Sequence, residues 1–292
     1  MRIAFFTAGS HGAGHRARGI AIGRALGRAG FSGEYRMFGP TPGAVASAFP
    51  AVPMHDWEDV EISTAQLGAP ETARLTGLAT RLAAFSPDVL LVDMFWAPLR
   101  HILPLARCEA WLLLRSMPAT WLAGPPGAAF DPMQYARIIS IEPIASGAVT
   151  HPIDPVVMVN LDECRPRGAL RARLAMAPDQ RLVAVMHAGL PGEQRGLVPA
   201  SKAGDLVVTF DLHEANALFP IAEWLGDADE LHCAAGYNAY WEARWLGYAP
   251  RTTFSAITRR NDDPAWRIAK CGRYAMRANG ADTLAGWLVR GS

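Results

Sequence analysis

Four cysteines in 292 residues, Cys108, Cys164, Cys233 and Cys271, are too few and too far apart for a disulfide framework or a C-x-x-C metal site. A formal charge of +1 offers no electrostatic reason to expect a nucleic-acid partner. The longest apolar runs, around Val89–Leu99 and Trp111–Leu114, fall short of the roughly 20 residues a membrane span needs. The opening residues, Met1 to Phe6, read as a first strand and lack the long apolar core and small-residue cleavage site of a secretory signal. A cytoplasmic protein follows as the expectation. Peripheral membrane contact stays open, because Trp121 lies in an apolar, Pro/Gly-rich stretch from Met117 to Phe130.

Half of the residues are apolar, and 292 residues are enough for two domains with separate cores. In the first half, short apolar runs alternate with amphipathic ones. Strands are predicted at Ile3–Thr7, Tyr35–Phe38, Val89–Asp93, Ala110–Leu114 and Arg137–Ile141, with helices at His15–Ala29, Thr41–Phe49 and Glu71–Phe85. Two prolines in His151-Pro152-Ile153-Asp154-Pro155 mark a boundary, giving domains 1–150 and 151–292. Beyond it, strands are predicted at Leu182–His187, Asp205–Asp211, Asp229–Cys233 and Thr252–Ile257. The stretch from Leu190 to Gly204 is polar and glycine-punctuated where a crossover helix belongs, so the second domain reads as abbreviated. This alternation predicts an α/β chain of two doubly wound, Rossmann-like domains facing each other across a cleft.

Two glycine turns follow strands and precede helices. One is Gly9-Ser10-His11-Gly12-Ala13-Gly14-His15, and the other is Ala235-Gly236-Tyr237-Asn238. Free N–H groups at a positive helix end suit a pyrophosphate. About one turn further on, Glu242 is placed either to accept from a ribose diol or to face solvent. Asp262 and Asp263 follow a strand and open another helix beside the same turn. His187 and Gly189 end the first strand of the second half, where a loop approaches a diphosphate. Asp93 ends a buried strand at the crevice edge, to orient a base or to cap the residues that follow; His11 is a second acid/base or a loop anchor. Arg115 either faces an anion or joins an ion pair. The string Asp211-Leu212-His213-Glu214 has no second histidine at metal-binding spacing, and no metal is expected.

The two C-terminal stretches together resemble the donor domain of GT-B glycosyltransferases of the MurG-like kind (family 28). Ala235, Gly236 and Glu242 fall on that family's first pattern, and Asp262-Asp263 on its acidic helix start twenty residues on. The N-terminal loop with Gly12, Gly14 and His15 is similar to the family's acceptor-side loop. The resemblance implies an inverting, metal-independent glycosyltransferase without a cofactor, whose donor is a nucleotide-diphospho-sugar, a UDP-sugar for preference. His15 would be the base, with a pKa near 6.5 suited to the task. Gly236, Tyr237 and Asn238 would face the diphosphate, Glu242 the ribose, and Asp262 and Asp263 the donor sugar. The acceptor would be a small molecule, a glycan or a lipid-linked hydroxyl. Pro264 stands where the family carries glutamine, so two alternatives remain: a catalytically silent nucleotide-sugar-binding protein, and an epimerase or hydrolase on the same fold.

Overall fold

The computed structural model describes residues 1–9, 13–40, 57–63, 66–117, 120–124, 129–144, 147–187, 189, 192–200, 202–212, 217–257 and 262–290. The first lobe is a parallel sheet of seven strands: β1 (Arg2–Phe6), β2 (Glu34–Gly39), β3 (Trp57–Asp59), β4 (Val89–Asp93), β5 (Glu109–Leu114), β6 (Arg137–Ser140) and β7 (His151–Pro152). Its helices are α1 (Gly14–Arg28), α2 (Pro70–Ala73), α3 (Gly77–Phe85) and α4 (Thr120–Ala123). The second lobe begins with α5 (Ala169–Arg173). It then adds a parallel sheet of β8 (Arg181–His187), β9 (Asp205–Asp211), β10 (Glu230–Ala234) and β11 (Thr252–Ser255), with helices α6 (Tyr237–Trp245) and α7 (Pro264–Cys271); the last helix, α8 (Gly280–Arg290), packs back on α1 of the first lobe.

Strand order in the first sheet is β3-β2-β1-β4-β5-β6-β7, so the order reverses between β1 and β4. In the second it is β11-β10-β8-β9, reversing between β8 and β10. Parallel strands buried on both faces need apolar residues at every position, and their register divides those residues between two cores. Ile3, Phe5, Val89, Leu91, Trp111 and Leu113 point one way; Ala4, Phe6, Leu90, Val92, Ala110 and Leu112 point the other. The first of these cores does not stop at the edge of its lobe. It runs through Ala21, Ile22 and Leu26 of α1 into Val156–Val159, then into Leu182 and Leu231 of the second sheet, and on to Leu284 and Leu288 of α8.

Helix α1 is therefore shared by both lobes. At the rim, Arg24 donates to Glu163 and Glu223, each at 3.0 Å, and Arg28 donates to Asp282 at 2.7 Å. Close approach at the start of α8 requires glycine, since a Cβ on Gly280 would lie 2.0 Å from the Asp154 carbonyl oxygen.

Most predicted elements appear within a residue or two of their expected bounds. The predicted helix 71–85 is instead two, because the Thr76 side chain accepts from Ala79 N–H at 3.3 Å and starts a new helix there. The first sheet takes His151 and Pro152 as its last strand, two residues past the expected boundary. β3, β7 and α8 were not anticipated. Among the described residues, the β8–β9 connection carries one 3₁₀ turn and the β9–β10 connection two, with no α-helix in either, so the second lobe is abbreviated as expected. The predicted helix 41–49 lies outside the described residues. Among the described residues, no helix is long and apolar enough to cross a membrane.

Candidate functional site

In an open α/β sheet, the loops at the carboxyl ends of the strands flanking the order reversal form a crevice. Here β1 leads through the glycine loop into α1, and β4 ends in Asp93, so that reversal brings residues 15 and 93 together. The His15 Nδ1 lies 2.6 Å from Asp93 Oδ2. Arg18, one turn further along α1, grips the same carboxylate with Nε at 3.0 Å from Oδ1 and Nη2 at 2.9 Å from Oδ2. Asp93 is fully buried. Burial alone would raise its pKa, but Arg18 and His15 hold the carboxylate down at about 2. Burial lowers the His15 pKa; Asp93 opposes this, Arg18 and Arg115 add to it, and the net shift is downward. At neutral pH the pair is an uncharged imidazole beside an ionised carboxylate.

The turn after Asp93 is strained. Met94 is fully buried in the left-handed region, at φ 67, where a side chain costs about 1–2 kcal/mol. Its N–H donates to the Leu113 carbonyl at 3.0 Å, and its own carbonyl accepts from Trp121 Nε1 at 3.1 Å. Contacts on both sides of the residue thus fix where Asp93 points. On the other side of the imidazole is Gly9, where a Cβ would lie 2.4 Å from His15 Cδ2. The ring cannot yield while Asp93 and Arg18 hold it. Gly9→Ala is therefore expected to fold but to lose the His15–Asp93 hydrogen bond. Proton NMR should show the low-field Nδ1–H resonance of the parent and not of the variant; its persistence would refute this packing.

The second glycine turn lies at the β8/β10 reversal. Gly236 caps α6, no side chain bonds back to the helix start, and the first turn holds no acidic residue. α1 likewise begins without a side-chain cap, at Ala13. The two starts face each other: Asn238 Nδ2 donates to the Gly14 carbonyl at 3.1 Å. Tyr237 points into the junction, its hydroxyl donating to the Ile141 carbonyl at 2.9 Å and accepting from Val156 N–H at 2.7 Å. Arg18 stacks 5.0 Å from the Tyr237 ring centre, so one guanidinium touches both the His15–Asp93 pair and the start of α6. A Cβ on Gly236 would meet nothing within 4 Å. Asn238 Oδ1 is buried with no hydrogen-bond donor among the described residues, which costs about 1–3 kcal/mol until something supplies one.

A buried ionic cluster joins the lobes behind this junction. Glu142, just past β6, accepts from Ser116 N–H at 2.7 Å, Trp241 Nε1 at 2.6 Å and Arg267 Nε at 2.5 Å. Arg267 also donates to the Ala235 carbonyl at 2.6 Å and to Asp262 at 2.7 Å. Arg115 completes the set with an ion pair to Asp262. Burial would raise the Asp262 pKa, but Arg115 and Arg267 bring it below the usual range. Three guanidiniums (Arg18, Arg115, Arg267) thus balance three carboxylates (Asp93, Asp262, Glu142).

Of the residues expected at the site, His15, Asp93, Gly14, Gly236, Tyr237 and Asn238 come together at the junction. Asp93 orients His15 rather than capping the next turn. Glu242 is one and a half turns into α6; burial pushes its carboxyl up to about 7, eased by the Met158 N–H and by Arg24. Asp262 is held by two arginines instead of projecting freely. Asp263 is exposed and caps α7, accepting from Trp266 N–H at 2.8 Å. Gly189 is half-buried in the turn after β8. His11 and Gly12 lie outside the described residues, as do His213 and Glu214. Arg18, Glu142 and Arg267 had no assigned role in the sequence, and Gly9 was read only as part of the glycine turn. The spacing of His15 and Arg18, three apart on one helix face, is a signal that would have found the first of them.

No protein-family model matches the chain, and neither does any curated protein sequence. Among solved structures, the chain is similar over 100% of its length to the spinosyn rhamnosyltransferase SpnG, covering 92% of that chain at 16% identity and a TM-score of 0.58. It is similar over 99% of its length to the spinosyn forosaminyltransferase SpnP, covering 94% of it at 13% identity and a TM-score of 0.52. The glycosyltransferase of kitacinnamycin is matched over 89% of its chain at 16% identity and a TM-score of 0.51. These likenesses establish the two-lobed GT-B fold.

Proposed function

We propose that this chain is a glycosyltransferase that moves a sugar, with inversion and without a metal, from a nucleotide-diphospho-sugar to an acceptor hydroxyl. One observation carries the reading: the His15–Asp93 pair lies at the junction where the uncapped starts of α1 and α6 meet. His15 is the base, and Asp93 holds its Nδ1–H so that Nε2 faces the acceptor. The amides and positive end of α6 receive the diphosphate, whose leaving charge they offset. The unpaired Asn238 Oδ1 accepts from a donor hydroxyl or N–H. Residues 1–150 bind the acceptor and 151–292 the donor, a UDP-sugar for preference. The likeness to SpnG supports the reading, since that protein has been solved complexed with thymidine diphosphate and with spinosyn aglycone.

Glu242 binds the donor ribose in this reading, at a site where it now accepts from the Met158 N–H. Glu242→Ala is expected to weaken uridine diphosphate binding by about ten- to a hundredfold, the worth of a charge-assisted hydrogen bond. Calorimetry tests this, and equal affinity in parent and variant would remove Glu242 from the donor site. A second reading, a binding protein without turnover, is favoured by Asp262 being held in ion pairs and by Pro264 opening α7. Uridine diphosphate binding with no transfer or hydrolysis across a panel of nucleotide-sugars would select it.

A further inference from the structure

We propose that Arg18 is a positioning residue that competes with His15 for the Asp93 carboxylate, keeps the histidine a weak base, and so favours acidic acceptor hydroxyls such as phenols. The inference rests on His15 being the base. A histidine paired with an unshared carboxylate gains basicity, because the full negative charge stabilises the imidazolium. Here both carboxylate oxygens already accept from Arg18, at 3.0 Å and 2.9 Å, and His15 shares Oδ2 with it. Arg18 Nη2 is also 2.7 Å from His15 Nδ1, which sets a positive charge beside the ring that would have to become positive.

The groups around the imidazole come from every neighbouring element. Asp93 ends β4, Arg18 is on α1, and Arg115 follows β5; Phe95 and Gly9 add no charge. Across the junction, Tyr237 on α6 lies under Arg18, and Asp262 is already paired with Arg115 and Arg267. Apart from Asp93, no carboxylate hydrogen-bonds to His15 or Arg18 among the described residues. His15 is thus unprotonated and available at neutral pH, but it pulls weakly on a proton.

In the transfer step, the acceptor oxygen forms its bond to the anomeric carbon. The bond from that carbon to the diphosphate oxygen breaks, its electron pair leaving with the diphosphate. The acceptor proton passes to His15 Nε2. A weak base takes that proton efficiently only from a hydroxyl of low pKa. A second, independent observation fits the same acceptor. The Phe95 ring centre is 5.0 Å from that of His15, and Trp121 packs edge-on at 5.3 Å from Phe95, so a half-buried aromatic pair flanks the base where a phenol ring would stack.

The test uses Arg18→Gln, with Arg18→Lys as the variant that keeps the charge. Nitrogen-15 NMR of the imidazole reads His15 without needing turnover. Its pKa should rise by about one unit in Arg18→Gln, the ordinary effect of removing an adjacent like charge, and stay near the parent value in Arg18→Lys. Transfer from UDP-glucose and TDP-glucose to 4-nitrophenol and to 4-nitrobenzyl alcohol reads the acceptor. The parent should favour the phenol by about a hundredfold or more in kcat/KM, and the preference should narrow in Arg18→Gln while the acid limb moves to higher pH. An unchanged His15 titration in a folded Arg18→Gln would overturn the role of Arg18. Preference for the alcohol by the parent would overturn the acceptor class. Absence of transfer to either acceptor would overturn the acceptor class too; calorimetry with uridine diphosphate then judges the donor site, and the titration alone judges Arg18.

Discussion

His15→Ala is expected to lower transfer by about 10²–10⁴-fold, the usual contribution of a positioned general base. Uridine diphosphate affinity should change little, because the proposed function puts His15 on the acceptor side of the junction. Asp93→Asn should cause a loss of similar size. Its amide leaves the His15 Nδ1 tautomer unspecified and places a donor against Arg18, which already donates to that site. The pH profile gives the sign. His15 must be unprotonated to act, and its pKa lies below the ordinary imidazole value, so kcat/KM should hold as pH falls through 6.5 and drop only below it. Full transfer by His15→Ala from a nucleotide-sugar that the parent uses would end the reading of His15 as base.

The second large effect is on stability. Arg267 is fully buried and donates to two carboxylates and to the Ala235 carbonyl, whereas Glu142 has no exposure at all. Arg267→Met would leave the Glu142 charge with Ser116 N–H and Trp241 Nε1 as its remaining hydrogen-bond donors among the described residues, and the Ala235 carbonyl without this donor. Breaking one side of a buried pair costs about 3–5 kcal/mol. For a chain of this size, that lowers Tm by on the order of 10 °C. Adding Glu142→Gln removes the stranded charge and should recover part of the loss, a coupling that a double-mutant cycle measures. A melt of Arg267→Met that coincides with the parent's would show that the cluster does not hold the lobes together.

The sheets were legible because buried parallel strands advertise themselves: Val89–Asp93 is apolar to its last residue, and Asp205–Asp211 falls on its predicted bounds. The short strands were not, since two or three residues carry no period to detect; His151–Pro152 is a strand only because β6 lies beside it. Helix α8 escaped because Gly280 and Gly286 look like breakers, whereas Gly280 is required by the Asp154 carbonyl against it. At the site, His15, Asp93 and Asn238 were readable as turn residues at strand ends. The ionic cluster was not, because Glu142 and Arg267 are 125 residues apart and charged residues are ordinarily expected at the surface. The same long-range pairing draws into a salt-bridge network the Asp262 that the family resemblance had placed at a donor sugar.

The embrace of α1 by α8 also sets an order of events during synthesis. Arg28 and Asp282 are 254 residues apart, so although α1 can pack early on β1 and β2, the part of it that α8 covers waits until residues 280–290 have been made. The N-terminal sheet can pair its strands earlier, but it cannot finish its own core by itself. Until then the first lobe holds its sheet without the helix that closes it against α1. Truncations that remove residues 280–290 would leave that part of α1 exposed for good.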